Sequence, residues 1–200
     1  APLIVLLAST AQGDSLFTQV AHQSGTLISE EVARFDVGDI ITVLVREEIT
    51  ALERVQDLGH IELLMLRLPE LVGSALSVNA LREDLRVSHK AVESWIGALE
   101  RLYAVFRLAP LGAPRIRAVK KAQKHYHLDW SVVPQDAARF ENLVACHLLK
   151  WVHFEQDTQG RDLELRYFRD IEGREVDFVV VEGRHPRLLV ECKWGDAEVD

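Results

Sequence analysis

Apolar side chains recur every three or four positions over residues 48–71, which predicts helical structure along this stretch. Pro69 predicts the end of that helical stretch, because proline lacks the backbone N–H that a helix interior needs. An amphipathic stretch at residues 77–85 follows. Ser88 is then expected to cap a helix over residues 89–103, since its side-chain oxygen can accept from a free N–H in the first turn.

Two short strands are predicted next, at residues 104–108 and 125–129, with a basic segment between them. Two helices across a tight turn followed by a strand pair are typical of a winged helix-turn-helix, which offers the start of its second helix to a DNA groove. Acidic neighbours such as Glu93 weaken this case, so a packing or protein-interaction module remains the alternative. The predicted nucleic-acid contacts are Ser88, His89 and Lys90 on the helix, and Arg115, Arg117, Lys120, Lys121 and Lys124 in or beside the wing.

Near the C-terminus, residues 173–181 and 188–194 read as two strands joined by a turn that contains Gly and Pro. Residues two apart in a strand share a face, so Glu191 and Lys193 project together while Cys192 points the other way. If the strands pair as a hairpin, Asp177 lies beside Glu191. The pattern therefore predicts two carboxylates and an ammonium in one place.

This set suits metal-assisted phosphodiester hydrolysis. Carboxylates are ligands that Mg²⁺ prefers, and a bound metal acidifies water while a lysine stabilises the transition state. The alternative is a solvated hairpin with charges that merely alternate outward. The pattern of Asp177 followed by Glu191-Cys-Lys193 resembles the PD-(D/E)xK nuclease signature. The resemblance implies metal ligands at Asp177 and Glu191, a catalytic Lys193, and an additional acid on a preceding helix, which Glu141 matches.

Composition narrows the functional classes. The 200 residues are 48% hydrophobic, enough for one large or two small domains, and a net charge of -8 disfavours a protein that coats nucleic acid. Two cysteines form no disulfide framework, which favours the cytoplasm. The apolar run at residues 2–8 is too short to cross a bilayer, so no membrane partner is expected. It is either a buried strand or the tail of an export signal.

Residues 14–50 weakly resemble the start of the flagellar L-ring protein, through Asp14-Ser-Leu-Phe and the stretch 37–47. That resemblance implies an exported basal-body component. It covers about the first quarter of the chain and brings no catalytic residues, and it remains a rival hypothesis.

Eight stretches between about residues 45 and 195 carry a further resemblance: residues 46–50, 55–58, 68–74, 85–92, 99–103, 139–144, 173–178 and 190–193. Through them the chain resembles the C-terminal portion of AAA-type P-loop ATPases that carry domain of unknown function 4143. The resemblance implies a winged-helix module and then a restriction-endonuclease-like α/β module, a mixed α+β fold. The predicted domains are 1–45, an N-terminal segment of foreign or signal origin; 46–130, helical and winged-helix; and 131–200, nuclease-like.

The resemblance further implies a fragment whose ATPase domain and last nuclease elements are not in this sequence. No G-x-x-x-x-G-K-[ST] occurs, so ATP is not expected to bind. The strand that carries Glu191 and Lys193 is expected to leave an unpaired sheet edge. Three hypotheses follow: a Mg²⁺-dependent nuclease that acts on DNA, a non-catalytic module that binds protein domains such as its own ATPase, and an exported ring component.

Overall fold

A computed structural model describes residues 3–8, 58–112 and 123–195, and over residues 3–8 it describes the backbone. The fold is mixed α+β, as predicted from the sequence. In chain order the elements are β1 (Leu3–Ala8), α1 (Leu58–Arg67), a 3-10 turn (Leu68–Leu71), α2 (Val78–Leu85), α3 (His89–Arg101), β2 (Val105–Leu108), β3 (Lys124–His127), a 3-10 turn (Trp130–Val132), α4 (Asp136–Gln159), β4 (Leu163–Arg169), β5 (Glu175–Glu182) and β6 (His185–Trp194).

Helices α1 to α3 pack around one apolar core. Helix α1 gives way to a 3-10 turn that contains Pro69, as the sequence predicts. Ser77 and Ser88 cap α2 and α3, each accepting a hydrogen bond from the backbone N–H three residues later. Helix α3 ends at Arg101, two residues before the predicted limit, and Tyr103 adopts a left-handed φ of 56°. The core side chains include Ile61, Leu64, Leu81, Val92, Trp95, Ile96 and Leu99.

Strands β2 and β3 form a two-stranded antiparallel ribbon after α3, with Val105 opposite His127 and Leu108 opposite Lys124. Both strands were predicted, but β3 begins one residue earlier and ends two residues earlier than expected. All four residues of β3 are buried. A strand buried on both faces carries no alternation of polar and apolar side chains, so its limits are hard to read from sequence.

The second sheet has four strands in the order β1-β6-β5-β4. The predicted hairpin is confirmed as β5 and β6, which pair antiparallel with Phe178 opposite Val190. Strand β4 pairs with the other side of β5 and was not predicted. Its inward residues, Leu163, Leu165 and Tyr167, alternate with half-buried polar residues, so the period-2 signal was present in the sequence.

Strand β1 lies along the outer side of β6 in parallel, from Leu3 opposite Leu189 to Ala8 opposite Trp194. Of the two interpretations of residues 2–8, the structure has the strand. The expectation of an unpaired edge beside β6 is wrong, because β1 takes the backbone hydrogen bonds that this edge offers.

Helix α4 covers the four-stranded sheet and also reaches the ribbon. One continuous core includes Leu108 and Tyr126 from the ribbon, Phe140 from α4, and Phe178 and Val190 from the sheet. The ribbon and the sheet therefore share their interior across residue 130, where the sequence suggests a domain boundary. Among the described residues, no helix is long and apolar enough to cross a membrane.

Asn142 joins α4 to the ribbon. It is fully buried, and its amide nitrogen donates to the carbonyl of His127 at 2.6 Å while its oxygen accepts from the N–H of the same residue at 2.8 Å. An edge-strand backbone group that lost these partners inside the core would cost about 1–3 kcal/mol. The amide therefore fixes β3 against α4.

Candidate functional site

Asp177 and Glu191 lie on neighbouring strands of the sheet. The pairing of Phe178 with Val190, continued by one residue in the same antiparallel register, brings Asp177 opposite Glu191 and places both side chains on one face. One oxygen of Asp177 also accepts a hydrogen bond of 2.8 Å from the backbone N–H of Cys192. The arrangement predicted for these two carboxylates is present.

Glu141 projects from α4 toward the same place. Its Oε1 accepts a hydrogen bond of 2.8 Å from the hydroxyl of Tyr126 and lies 3.4 Å from the ammonium of Lys124. The carboxylate passes close to the backbone at Gly73, where an added Cβ would lie 2.8 Å from Oε2. Gly73 also has a φ of +77°, which glycine adopts without strain. Glycine therefore suits this position for two reasons: it leaves space for the Glu141 carboxylate and it adopts the positive φ without strain.

Lys193 forms an ion pair with Glu191, with 2.9 Å between Nζ and Oε1. The side chain of Lys193 is 40% exposed, so this pair lies at the rim of the group of carboxylates formed by Glu141, Asp177 and Glu191. The lysine of the motif therefore lies beside the motif's second acid, and its side chain is much more exposed than that of Lys124, at 3%.

Lys124 occupies the centre of the acidic cluster. Its ammonium forms an ion pair with Glu175 and lies 3.4 Å from Glu141 and 3.7 Å from Asp177, and the residue is only 2% exposed. The sequence predicts that Lys124 contacts phosphate beside the wing, and this prediction is wrong, because the ammonium is buried among carboxylates. No sequence signal marks this contact, since it depends on how the ribbon packs on the sheet.

Glu175 is a further acid of this site and lies outside the nuclease-like motif. It stands two residues before Asp177 on β5, and residues two apart share a strand face. This strand alternation, which also pairs Glu191 with Lys193, is the sequence signal that identifies Glu175.

The electrostatics of the cluster follow from burial and crowding. Burial raises the pKa of Asp177 to about 6, helped by repulsion from Glu141 and Glu191 and opposed by the Cys192 N–H and Lys124. Burial alone would lower the pKa of the Lys124 ammonium, but its carboxylate neighbours outweigh that effect and hold the pKa above its usual value. Lys124 is therefore charged at neutral pH.

The residues present do not fit a divalent cation as they are arranged. Within the described ranges, no three His, Cys, Asp or Glu side chains are placed to hold a metal ion together. Mg²⁺ needs several carboxylate and water oxygens in near-octahedral geometry. Here the space between Glu141, Glu175 and Asp177 holds an ammonium, and one oxygen of Asp177 is turned to the backbone.

The predicted nucleic-acid contacts are divided between described and undescribed residues. Ser88, His89 and Lys90 are exposed at the start of α3, although the Ser88 hydroxyl oxygen accepts from the Ala91 N–H and His89 lies 3.5 Å from Glu93. Arg115, Arg117, Lys120 and Lys121, together with the L-ring-like stretch 14–50, lie outside the described residues.

The histidines of β3 are core residues. His125 is fully buried and its Nε2 lies 2.9 Å from the carbonyl of Leu68, while His127 is 8% exposed. Burial lowers the pKa of His125 to about 4 and that of His127 to about 3. Both rings are therefore neutral at pH 7.

Two family models match the chain. Residues 26–138 match the family described as Domain of unknown function (DUF8612), and residues 137–199 match the family described as Domain of unknown function (DUF4143), a domain typical of the C-terminal regions of AAA-type ATPases. The predicted resemblance to the second family is thus confirmed over residues 137–199. No curated protein and no solved structure matches the chain. The first match runs through the boundary predicted at residue 45, and the two matches meet in the first turn of α4.

Proposed function

The chain belongs to the family described as Domain of unknown function (DUF8612), and we propose that it is the C-terminal part of an AAA-type ATPase that acts as a protein-interaction or regulatory module. Its match to the second family over residues 137–199 supports the association with ATPases. The nuclease-like motif then serves to hold the module together, and the ATPase domain itself is the partner we expect.

One observation carries this proposal: the charged groups of the motif already have partners within the chain. Glu141 is held by Tyr126 and Lys124, and Lys193 is paired with Glu191. A hydrolytic metal site needs free carboxylate oxygens and an open coordination position for water. Nuclease-like folds are also used without catalysis, so the motif by itself does not assign an activity.

The rival function is Mg²⁺-dependent cleavage of a phosphodiester. Its support is that Asp177 lies beside Glu191 and close enough to Glu141 for both charges to raise its pKa, with Lys193 at the rim. In that function Asp177 and Glu191 would hold the metal and Lys193 would assist at the phosphate. The rearrangement it requires is the withdrawal of Lys124 from the cluster.

DNA cleavage with Mg²⁺ or Mn²⁺ separates the two functions. The chain is compared with Asp177→Ala and Lys193→Ala on linear and supercoiled DNA. The proposal predicts no metal-dependent cleavage by any of the three proteins, each checked for folding by circular dichroism. Cleavage by the unaltered chain that both substitutions abolish would establish the nuclease and refute the proposal.

A second candidate function is contact with duplex DNA through the start of α3, where Lys90 is exposed next to Ser88 and His89. The acidic net charge opposes it, so the contact would be local and salt-dependent. In fluorescence anisotropy, Lys90→Ala is expected to weaken binding and to reduce the salt slope by roughly one. Equal binding and slope for both proteins would exclude this surface.

A further inference from the structure

We infer that Lys124 is the permanent cation of the acidic site, so that the ribbon of β2 and β3 keeps the motif closed to divalent ions. This inference rests on the proposed function and states what keeps the acidic site from binding a metal ion. Lys124 comes from the part of the chain matched by the first family, and the carboxylates come from the part matched by the second. The contact therefore links the two matched regions.

The backbone of Lys124 is fixed on both sides. In the ribbon it pairs with Leu108, and on its other side it forms an isolated bridge with Ala75. The neighbouring hydrogen bond from the Leu76 N–H to the Gln123 carbonyl measures 2.8 Å. Because the strand is held on both edges, the ammonium cannot leave the cluster through a simple movement of its backbone.

Electrostatic attraction to the surrounding carboxylates holds the Lys124 ammonium in the acidic site. Three carboxylates within one buried cluster repel each other, and a buried ammonium without partners is costly. The pairing of Lys124 with Glu141, Glu175 and Asp177 reduces the repulsion among the carboxylates and gives the ammonium its partners. The ring of Tyr167 lies 5.7 Å from its Nζ. Removing the lysine leaves uncompensated negative charge, which is the strongly destabilising way to break such a cluster.

A divalent ion and this ammonium exclude each other. Mg²⁺ binds oxygen at about 2.0–2.1 Å, and the same oxygens of Glu141 and Glu175 are already within ion-pair distance of Nζ. A second cation between them would face a positive charge at close range. The acidic residues therefore resemble those of metal-dependent nucleases, but the ammonium of Lys124 lies where a metal ion would have to bind.

Thermal unfolding with and without millimolar Mn²⁺ tests this inference on the whole chain. The variant is Lys124→Met, and the matched control is Lys193→Met, which removes an ammonium from the exposed rim. We expect Lys124→Met to lower Tm markedly and Lys193→Met to change it little. Mn²⁺ should leave the Tm of the unaltered chain constant, raise that of Lys124→Met, and fail to raise that of Lys124→Met/Asp177→Asn.

Two results would overturn the inference: equal stability of Lys124→Met and Lys193→Met, or a Tm of Lys124→Met that Mn²⁺ does not change. If Lys124→Met does not fold, Mn²⁺ binding to the unaltered chain tests the inference instead, measured by electron paramagnetic resonance of the free ion. No stoichiometric binding is expected, and a site that Asp177→Asn abolishes would refute the closed state. Cleavage of DNA is read in a separate assay, so failure of the proposed function is distinguished from failure of this inference.

Discussion

Asp177 is the carboxyl group whose titration reports most directly on the crowding of the acidic site. Burial and the charges of Glu141 and Glu191 raise its pKa from 3.8 to about 6. A folded-state pKa above the unfolded value means that the folded chain binds the proton more tightly. The contribution of Asp177 to stability is therefore full below pH 3.8 and is lost as the pH rises to about 6.

We predict that Glu141→Gln lowers the pKa of Asp177, because it removes a neighbouring negative charge while the amide keeps nearly the same volume. Carbon-detected NMR of the aspartate carboxyl, followed between pH 3 and 8, measures the shift. An unchanged titration of Asp177 in Glu141→Gln would show that the two carboxylates do not meet.

The buried histidines of β3 have the opposite effect on acid stability. Their pKa values lie below the ordinary 6.5, at about 4 for His125 and about 3 for His127. The unfolded chain therefore binds more protons than the folded chain at mildly acidic pH, and these two groups lower stability as the pH falls below 6.5.

His127→Gln is expected to change this dependence. The variant should take up about one proton fewer on unfolding between pH 4.5 and 6. Urea unfolding at several pH values gives the unfolding free energy, and its slope against pH gives the proton uptake. Subtracting the slope of the unaltered chain removes the contribution of the other titrating groups. The same slope in both proteins would contradict the buried, neutral state of His127.

Among the elements, the turn that precedes α2 lies directly against Glu141 of α4. Gly73 and Gly112 both have a φ of +77°, but a Cβ at Gly73 would meet Glu141, whereas a Cβ at Gly112 would have no atom of the described residues within 4 Å. Alanine at Gly112 should cost about 1 kcal/mol, the ordinary cost of a left-handed residue.

Alanine at Gly73 should cost about 1–3 kcal/mol more, because Glu141 must leave Tyr126 and Lys124 to make room. Urea unfolding of both variants measures the difference. In a Glu141→Ala background the extra cost should disappear, since there is no carboxylate to displace. Equal costs for the two glycine variants would show that the close approach is absent.

The sequence was sufficient for elements with a strong local signal. Caps at Ser88 and the break at Pro69 depend on neighbouring residues, and the hairpin that carries Asp177 and Glu191 has its own turn. The position of Lys124 could not be read in this way. That position depends on how the ribbon, α4 and the sheet pack together. A lysine in a basic segment beside a wing is instead expected to be exposed to solvent.

At the scale of the whole chain, the two matched regions share one interior. The core that contains Tyr126 and Phe178 crosses the point at residues 137–138 where the matches meet. The ion pairs of Lys124 cross the same point. Substitutions in one matched region should therefore change the stability of the other matched region. A partner domain that binds the helical part would influence the motif through the same shared interior.

A double-mutant cycle between Lys124 and Glu175 tests the central claim most directly, because Glu175 lies outside the nuclease motif. Lys124→Met, Glu175→Gln and the double variant are compared in urea unfolding, with the exposed pair Arg174 and Glu172 as the control cycle. We predict a coupling of about 2–3 kcal/mol between Lys124 and Glu175 and about 1 kcal/mol or less between Arg174 and Glu172. Coupling near zero between Lys124 and Glu175 would contradict an ammonium at the centre of the acidic site.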